Sequence, residues 1–146
     1  MATYSFQDVT ATLVGPGGAF SLGYGEANAT EGISISRAAS SNTMSIGADG
    51  EGMHSLSANK SGQVKLHYLK TAPINAKLMA LYDAQQLDSS QWGKNLIEVG
   101  QSAAGDLYSA RGCAFSKVPD MTYKADTDIV EWVFDAIKID GILGTY

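Results

Sequence analysis

Asn42-Thr43-Met44-Ser45-Ile46-Gly47-Ala48-Asp49-Gly50-Glu51-Gly52-Met53-His54-Ser55 reads as two short strands around a tight turn. Met44 and Ile46 alternate with Thr43 and Ser45, the period-two signature of a strand with unlike faces. Asp49-Gly50 supplies residues that tolerate positive φ, as a hairpin turn requires. Upstream, Ile33-Ser34-Ile35-Ser36 alternates in the same way. The pattern predicts one long hairpin over about 33–57, with Ile33, Ile35, Met44 and Ile46 on one face and small polar residues on the other. Residues 31–50 hold five Ser, three Gly and three Ala, so this hairpin has little apolar area of its own.

The flanking sequence is mostly strand as well. Ser5 to Val14 places Val9, Ala11 and Leu13 on one face and breaks at Gly15-Pro16-Gly17-Gly18, with Phe20 to Tyr24 at hairpin distance beyond. Gln63 to Leu69 puts Val64, Leu66 and Tyr68 opposite Lys65 and His67, and Leu96–Val99 and Leu107–Phe115 complete the middle set. Asp128 to Leu143 is ambiguous in period, because Ile129, Val133 and Ile137 lie four apart. Its β-branched and aromatic content favours a strand. The alternation changes phase around Ala136, which predicts a bulge or bend there.

One segment breaks the β pattern. Thr71-Ala72-Pro73 reads as a helix opening, with Thr71 as cap and Pro73 in the first turn, where a missing N–H costs nothing. Ile74, Leu78, Leu81, Tyr82 and Gln85 recur at helical spacing among good helix formers. A helix is expected over about 72–88, packing Ile74, Leu78, Leu81 and Tyr82 onto the rest. The fold class is therefore mainly β, a sandwich or small barrel with one α-helix, in a single domain over 1–146.

Composition narrows the function. The 146 residues are 45% hydrophobic and 17% charged, enough for a real core. Ten Lys and Arg against fifteen Asp and Glu leave a net charge of -5, which argues against holding nucleic acid electrostatically. No apolar run approaches the roughly 18 residues of a membrane span, and no basic-then-apolar leader opens the chain. No membrane partner and intracellular synthesis are expected. The single Cys113 excludes an internal disulfide and a cysteine-rich zinc site.

No catalytic constellation emerges. Gly15-Pro16-Gly17-Gly18 lacks the helix and the Lys-Ser/Thr pair of a phosphate loop. Asp49, Glu51 and His54 are too few and too close to glycines for a calcium or zinc site. Asp120, Asp126, Asp128, Glu131 and Asp135 read as the wet face of a strand and its approach, rather than as a carboxylate pair in two environments. His54 and His67 have no Gly-x-Ser-x-Gly elbow to serve, and Cys113 has no partner near it in sequence and reads as a core filler. No enzyme activity, cofactor or metal is expected.

The combination of segments is more telling than any motif. The chain opens on Tyr4-Ser5-Phe6-Gln7-Asp8-Val9, carries the Asn42 to Ser55 hairpin, and runs through Leu69-Lys70-Thr71-Ala72-Pro73-Ile74-Asn75-Ala76. It closes on Val118-Pro119-Asp120 and Glu131-Trp132-Val133-Phe134-Asp135-Ala136. Over essentially its whole length it resembles the tail-tube proteins of contractile-tailed bacteriophages, the short virion structural protein family of some myoviruses. That family is similar in architecture to the tubes of type VI secretion and R-type pyocins.

The resemblance implies a tail-tube β-sandwich or small barrel with its helix outside. It implies homohexameric rings that stack into a hollow tube, with a tail sheath around it, a baseplate or initiator at its end, and a tape-measure protein inside. DNA would transit the lumen without specific binding, in a virion tail assembled in the host cytoplasm. The residues expected to line the lumen or join subunits are Ile33, Ile35, Arg37, Met44, Ile46, Asp49, Glu51 and His54. Between Ser21 and Ser57, Glu26, Glu31, Asp49 and Glu51 face only Arg37, four negative charges against one positive, a net of -3. A negative wall repels phosphates, whereas affinity needs Lys and Arg. The alternative is a β-sandwich module recognising carbohydrate or a receptor, which would need an exposed aromatic cluster; the Tyr and Trp residues are instead scattered among strands.

Overall fold

A computed structural model describes residues 2–126 and 128–146. A 3-10 turn at Phe6–Asp8 leads into β1 (Val9–Gly15) and β2 (Gly18–Ser21). There follow β3 (Asn28–Arg37), β4 (Asn42–Ile46), β5 (Gly52–Leu56), β6 (Gly62–Leu69) and α1 (Ile74–Gln86). The chain ends with β7 (Asn95–Gln101), β8 (Asp106–Lys117), β9 (Ile129–Ala136) and β10 (Lys138–Ile142).

One antiparallel sheet runs in the order β2-β1-β7-β8-β9-β6-β3, with β10 also on β8, and β4 and β5 form a separate ribbon. The twelve-residue β8 joins the two halves of the large sheet. Its first half pairs with β10, from Leu107↔Ile142 to Arg111↔Lys138, and its second half pairs with β9 at Ala114↔Asp135 and Phe115↔Phe134. Between them lies Gly112 at φ 63, a conformation that costs glycine little. Opposite it, the Ile137 N–H donates to the Arg111 carbonyl. The expected bend thus lies one residue beyond Ala136, and burial switches from Val130, Trp132, Phe134 and Ala136 to Ile139 across it.

Both halves of the sheet face one core. Ala11 and Leu13 of β1, Ile97 of β7, Val64, Leu66 and Tyr68 of β6, and Trp132 and Phe134 of β9 all belong to a single buried cluster. Alternating apolar residues drive this, since each buried leucine-sized side chain removes surface worth about 1.5–3 kcal/mol from water. Phe115 links the aromatics, with ring centroids 4.5 Å from Phe134, 5.4 Å from Tyr82 and 6.0 Å from Trp132.

The helix closes this core, burying Ile74, Leu78, Leu81 and Gln85, with Tyr82 half-buried beside them. It is shorter than the sequence suggests, and its opening differs. Pro73, in helical conformation, occupies the cap position without a side-chain bond, and Thr71 lies in the turn before it. Asn75 does the tethering instead: its Nδ2 donates to the Leu69 carbonyl at 3.0 Å, and its Oδ1 accepts from Trp132 Nε1 at 3.1 Å. A tertiary partner for Asn75, unreadable in the local sequence, replaces the Thr71 cap.

Candidate assembly surface

The long hairpin is real but longer than its sequence signature, and it has two parts. β3 returns on β6, with Ile33↔Leu66, Ile35↔Val64 and Arg37↔Gly62, and the outer part is β4 on β5, from Asn42↔Leu56 to Ile46↔Gly52. The two parts are joined where Ala38 N–H donates to Ser61 O and Ser57 N–H donates to Ser41 O. The eight residues expected to act together are therefore divided. Ile33 and Ile35 are half-buried and packed against the core. Arg37 lies at the junction, where its guanidinium donates to the Ile139 carbonyl. Met44, Ile46, Asp49, Glu51 and His54 belong to the outer part, in which every residue of β4 and β5 is exposed.

The β4–β5 ribbon has two unlike faces. Because side chains alternate along a strand, the register sets Asn42, Met44, Ile46, His54 and Leu56 on one side and Thr43, Ser45, Met53 and Ser55 on the other. The first side is apolar apart from Asn42 and His54, which bond each other at 3.1 Å. Leu56 is 89% exposed. At the tip, Gly50 takes φ 89 and its N–H donates to Gly47 O. Asp49 Oδ1 accepts from Glu51 N–H at 3.1 Å, so this carboxylate closes a turn. A two-stranded ribbon is marginal in water by itself, and neither face of this one is buried by the described residues.

The groups weighed for chemistry are engaged structurally. Cys113 is fully buried, its Sγ donating to the Ala110 carbonyl, and burial pushes its thiol pKa up to about 11, away from thiolate chemistry. His67 has Gly32 O at 2.9 Å from one ring nitrogen and Glu131 Oε2 at 3.0 Å from the other. Asp120 pairs with Lys117, Asp128 with Lys124, and Asp135 accepts from Gln63. Buried Tyr68 donates to Leu22 O at 2.8 Å, and burial pushes its pKa well above the usual phenol range. Among the described residues, no group of three or more His, Cys, Asp or Glu is placed to hold a metal, and no helix is long and apolar enough to cross a membrane.

Two features lay outside the reach of sequence reasoning. Gln85 and Asn95 form a buried amide pair, and a cavity of about 710 Å³ opens between the N-terminal segment, the start of β3 and the end of β7. Gln85 at least carried a signal, because it falls on the apolar stripe of the helix.

A family model described as the bacteriophage PhiTE tail tube protein matches residues 1–144. No curated protein matches the sequence. Among solved structures, the chain is similar to one of an extracellular contractile injection system, the PVC sheath-tube complex in its extended state. Identity is 13% and TM-score 0.60 over 91% of this chain and 88% of that one. It is similar also to the PVC sheath/tube terminator in the extended state, at 13% identity and TM-score 0.63 over 97% and 98% of the two chains. A chain in the baseplate of the anti-feeding prophage gives 9% identity and TM-score 0.58 over 97% of each. At these identities the likeness is one of fold.

Proposed function

The chain belongs to the bacteriophage PhiTE tail tube protein family, and from its place as a tail tube subunit we propose that it forms homohexameric rings that stack into a hollow tube. The observation that carries this reading is the β4–β5 ribbon, a separate two-stranded element with two unlike faces and every residue exposed. Exposed apolar surface of this kind marks an interaction site. In the tube, the Met44, Ile46 and Leu56 face lies against a neighbouring subunit and the Thr43, Ser45 and Ser55 face, with Met53, is turned to the lumen. Open sheet edges invite pairing with another chain, and β2 and β3 are the end strands of the large sheet.

The lumen carries DNA without retaining it. Asp49 and Glu51 sit at the ribbon tip, and the whole chain is at net -5. A wall of that sign gives phosphates no counterion-releasing partners, so the duplex slides. A sheath surrounds the tube on the side of α1, a baseplate or initiator templates the first ring, and a tape-measure protein occupies the lumen before DNA enters. Assembly takes place in the host cytoplasm and the product is part of the virion tail.

Electron microscopy of the purified protein tests the reading. Six-fold rings and hollow tubes are the expected images. Only particles of about one subunit, by microscopy and by light scattering over a wide range of concentration and salt, would overturn it.

A further inference from the structure

The cavity of about 710 Å³ is lined by apolar side chains, among them Phe6, Ile33, Leu69 and Tyr108. Its two acids are Glu31 and Asp106, and no Lys or Arg lines it among the described residues. Two polar groups are left over inside. Gln101 is 5% exposed, and its Oε1 accepts from the Ala104 N–H while its Nε2 has no partner among the described residues. Asn28 Nδ2 donates to the Leu22 carbonyl, but its buried Oδ1 is equally unpartnered. Buried polar atoms are almost always bonded, because leaving one unpaired forfeits its bond to water with nothing in return. An unused donor and an unused acceptor in one acid-flanked apolar cavity suit a peptide segment with cations around it.

The same chain carries the complement. Ile137 is 73% exposed at the bend between β9 and β10. Arg111 and Lys138 are cross-strand partners beside it, Lys60 bonds Asp140, and Arg37 reaches the Ile139 carbonyl. Four cationic residues thus lie around the bend that carries this apolar knob, with Lys60 and Lys138 both paired to Asp140. Knob and cavity lie at opposite ends of the β3–β6 ribbon: Asn28↔Tyr68 at the cavity, Arg37↔Gly62 and Gly62↔Ala136 at the knob. Because β3 bulges between Asn28 and Ile33, the span is best measured on β6, where Gly62 and Tyr68 are six steps apart, about 20 Å at the usual rise per residue. Ile137 cannot reach its own cavity, but it can reach that of a second copy.

We propose that this cavity is the socket of a head-to-tail contact between two copies, receiving Ile137 and its ring of cations. The proposal rests on the tube reading and locates one of its contacts. Such a contact is heterologous, each copy using a different surface, and it propagates without limit unless it closes into a ring. Between rings, it sets the direction of stacking. The knob's peptide groups then bond Gln101 Nε2 and Asn28 Oδ1 once these buried side chains turn toward the cavity, and the cations face Glu31 and Asp106.

Cysteine trapping is the direct test. The doubly substituted chain Glu31→Cys/Ile137→Cys, mildly oxidised while assembled, is expected to give a disulfide-linked ladder of many subunits, whereas neither single variant, lacking the second thiol at the contact, is expected to give one. Charge exchange supplies the second arm. Lys138→Glu should raise the concentration needed for stacking by about tenfold or more, the equivalent of 1.4 kcal/mol or more per contact, and adding Glu31→Arg should restore it in part. Both positions are exposed, so circular dichroism and melting should stay at the wild-type values. Absence of a ladder and unchanged stacking, while wild type forms tubes, would overturn the socket and leave the tube reading standing. Wild type that forms neither rings nor tubes would overturn the tube reading and the socket with it.

Discussion

Gln85 and Asn95 exchange two amide hydrogen bonds in the interior, Gln85 Nε2 donating to Asn95 Oδ1 at 2.7 Å and Asn95 Nδ2 donating to Gln85 Oε1 at 3.0 Å. Gln85 Nε2 also reaches the Pro16 carbonyl at 3.3 Å. The pair ties α1 to β7 and to the β1–β2 turn. It also explains Gly15: a Cβ there would lie 2.0 Å from Asn95 Oδ1. Replacing Gln85 by Leu strands the Asn95 amide, an expected loss of about 1–3 kcal/mol. The double variant Gln85→Leu/Asn95→Leu should lose less than the two single losses added, because no amide is left unpaired. Urea unfolding of the four proteins measures this, and strict additivity would show that the two side chains do not depend on each other.

Leu78 is fully buried under the helix. Leu78→Ala is expected to cost about 2–5 kcal/mol, the range for a truncated core leucine. The comparison is again a urea midpoint, and an unchanged midpoint would mean that the helix face does not pack as described.

Hydrogen exchange should separate the two parts of the hairpin. In an isolated subunit, amides of residues 42–56 are expected to exchange fast, since every residue of β4 and β5 is exposed and the ribbon adds nothing to the buried core. Amides of β3 paired to β6 between Ile33 and Arg37 should exchange more slowly, held by the core beneath them. Assembly into tubes should slow residues 42–56 strongly. Strong protection of that ribbon in a verified monomer would remove the link between assembly and ordering.

Cys113 gives a dependence on alkaline pH. Its pKa is raised by burial from 9.0 to about 11, so the folded state holds the thiol proton where the unfolded chain has released it. The native state binds more protons, and stability must fall as pH rises from about 9 toward 11. Below pH 9 this contribution is intact. Tyr68, shifted in the same direction, steepens the loss above its ordinary pKa. Thermal melts across this range should fall less steeply for Cys113→Ala than for wild type, although the variant starts from a lower value. Parallel curves would show that the thiol titrates alike in both states.

Legibility followed the reach of the physics. The alternation of β1, β6 and β9 and the stripe Ile74, Leu78, Leu81, Gln85 are local consequences of side-chain period, so the mainly β class, the single helix and most of the core could be read directly. The bend near Ala136 was legible as a phase change. The glycine-flanked turn at Asp49-Gly50 and the two unlike faces of β4–β5 were written in neighbouring residues as well.

Pairing across long separations was decided only by the tertiary structure. Nothing local says that Ile33 faces Leu66, or that the hairpin divides at Ala38 and Ser61 into a core half and a free half; only pairing with β6 and packing against the core separate Ile35 from Met44. The Asn75–Trp132 tether displaced the Thr71 cap because a partner 57 residues away completes it. The cavity with Asn28 and Gln101, and the Ile137 knob at the far end of the ribbon, exist only once β3, β7 and β10 have been brought into place. A sequence states each strand's period; which strands meet, and which polar atoms are left without partners when they do, is settled by the packing of the whole chain.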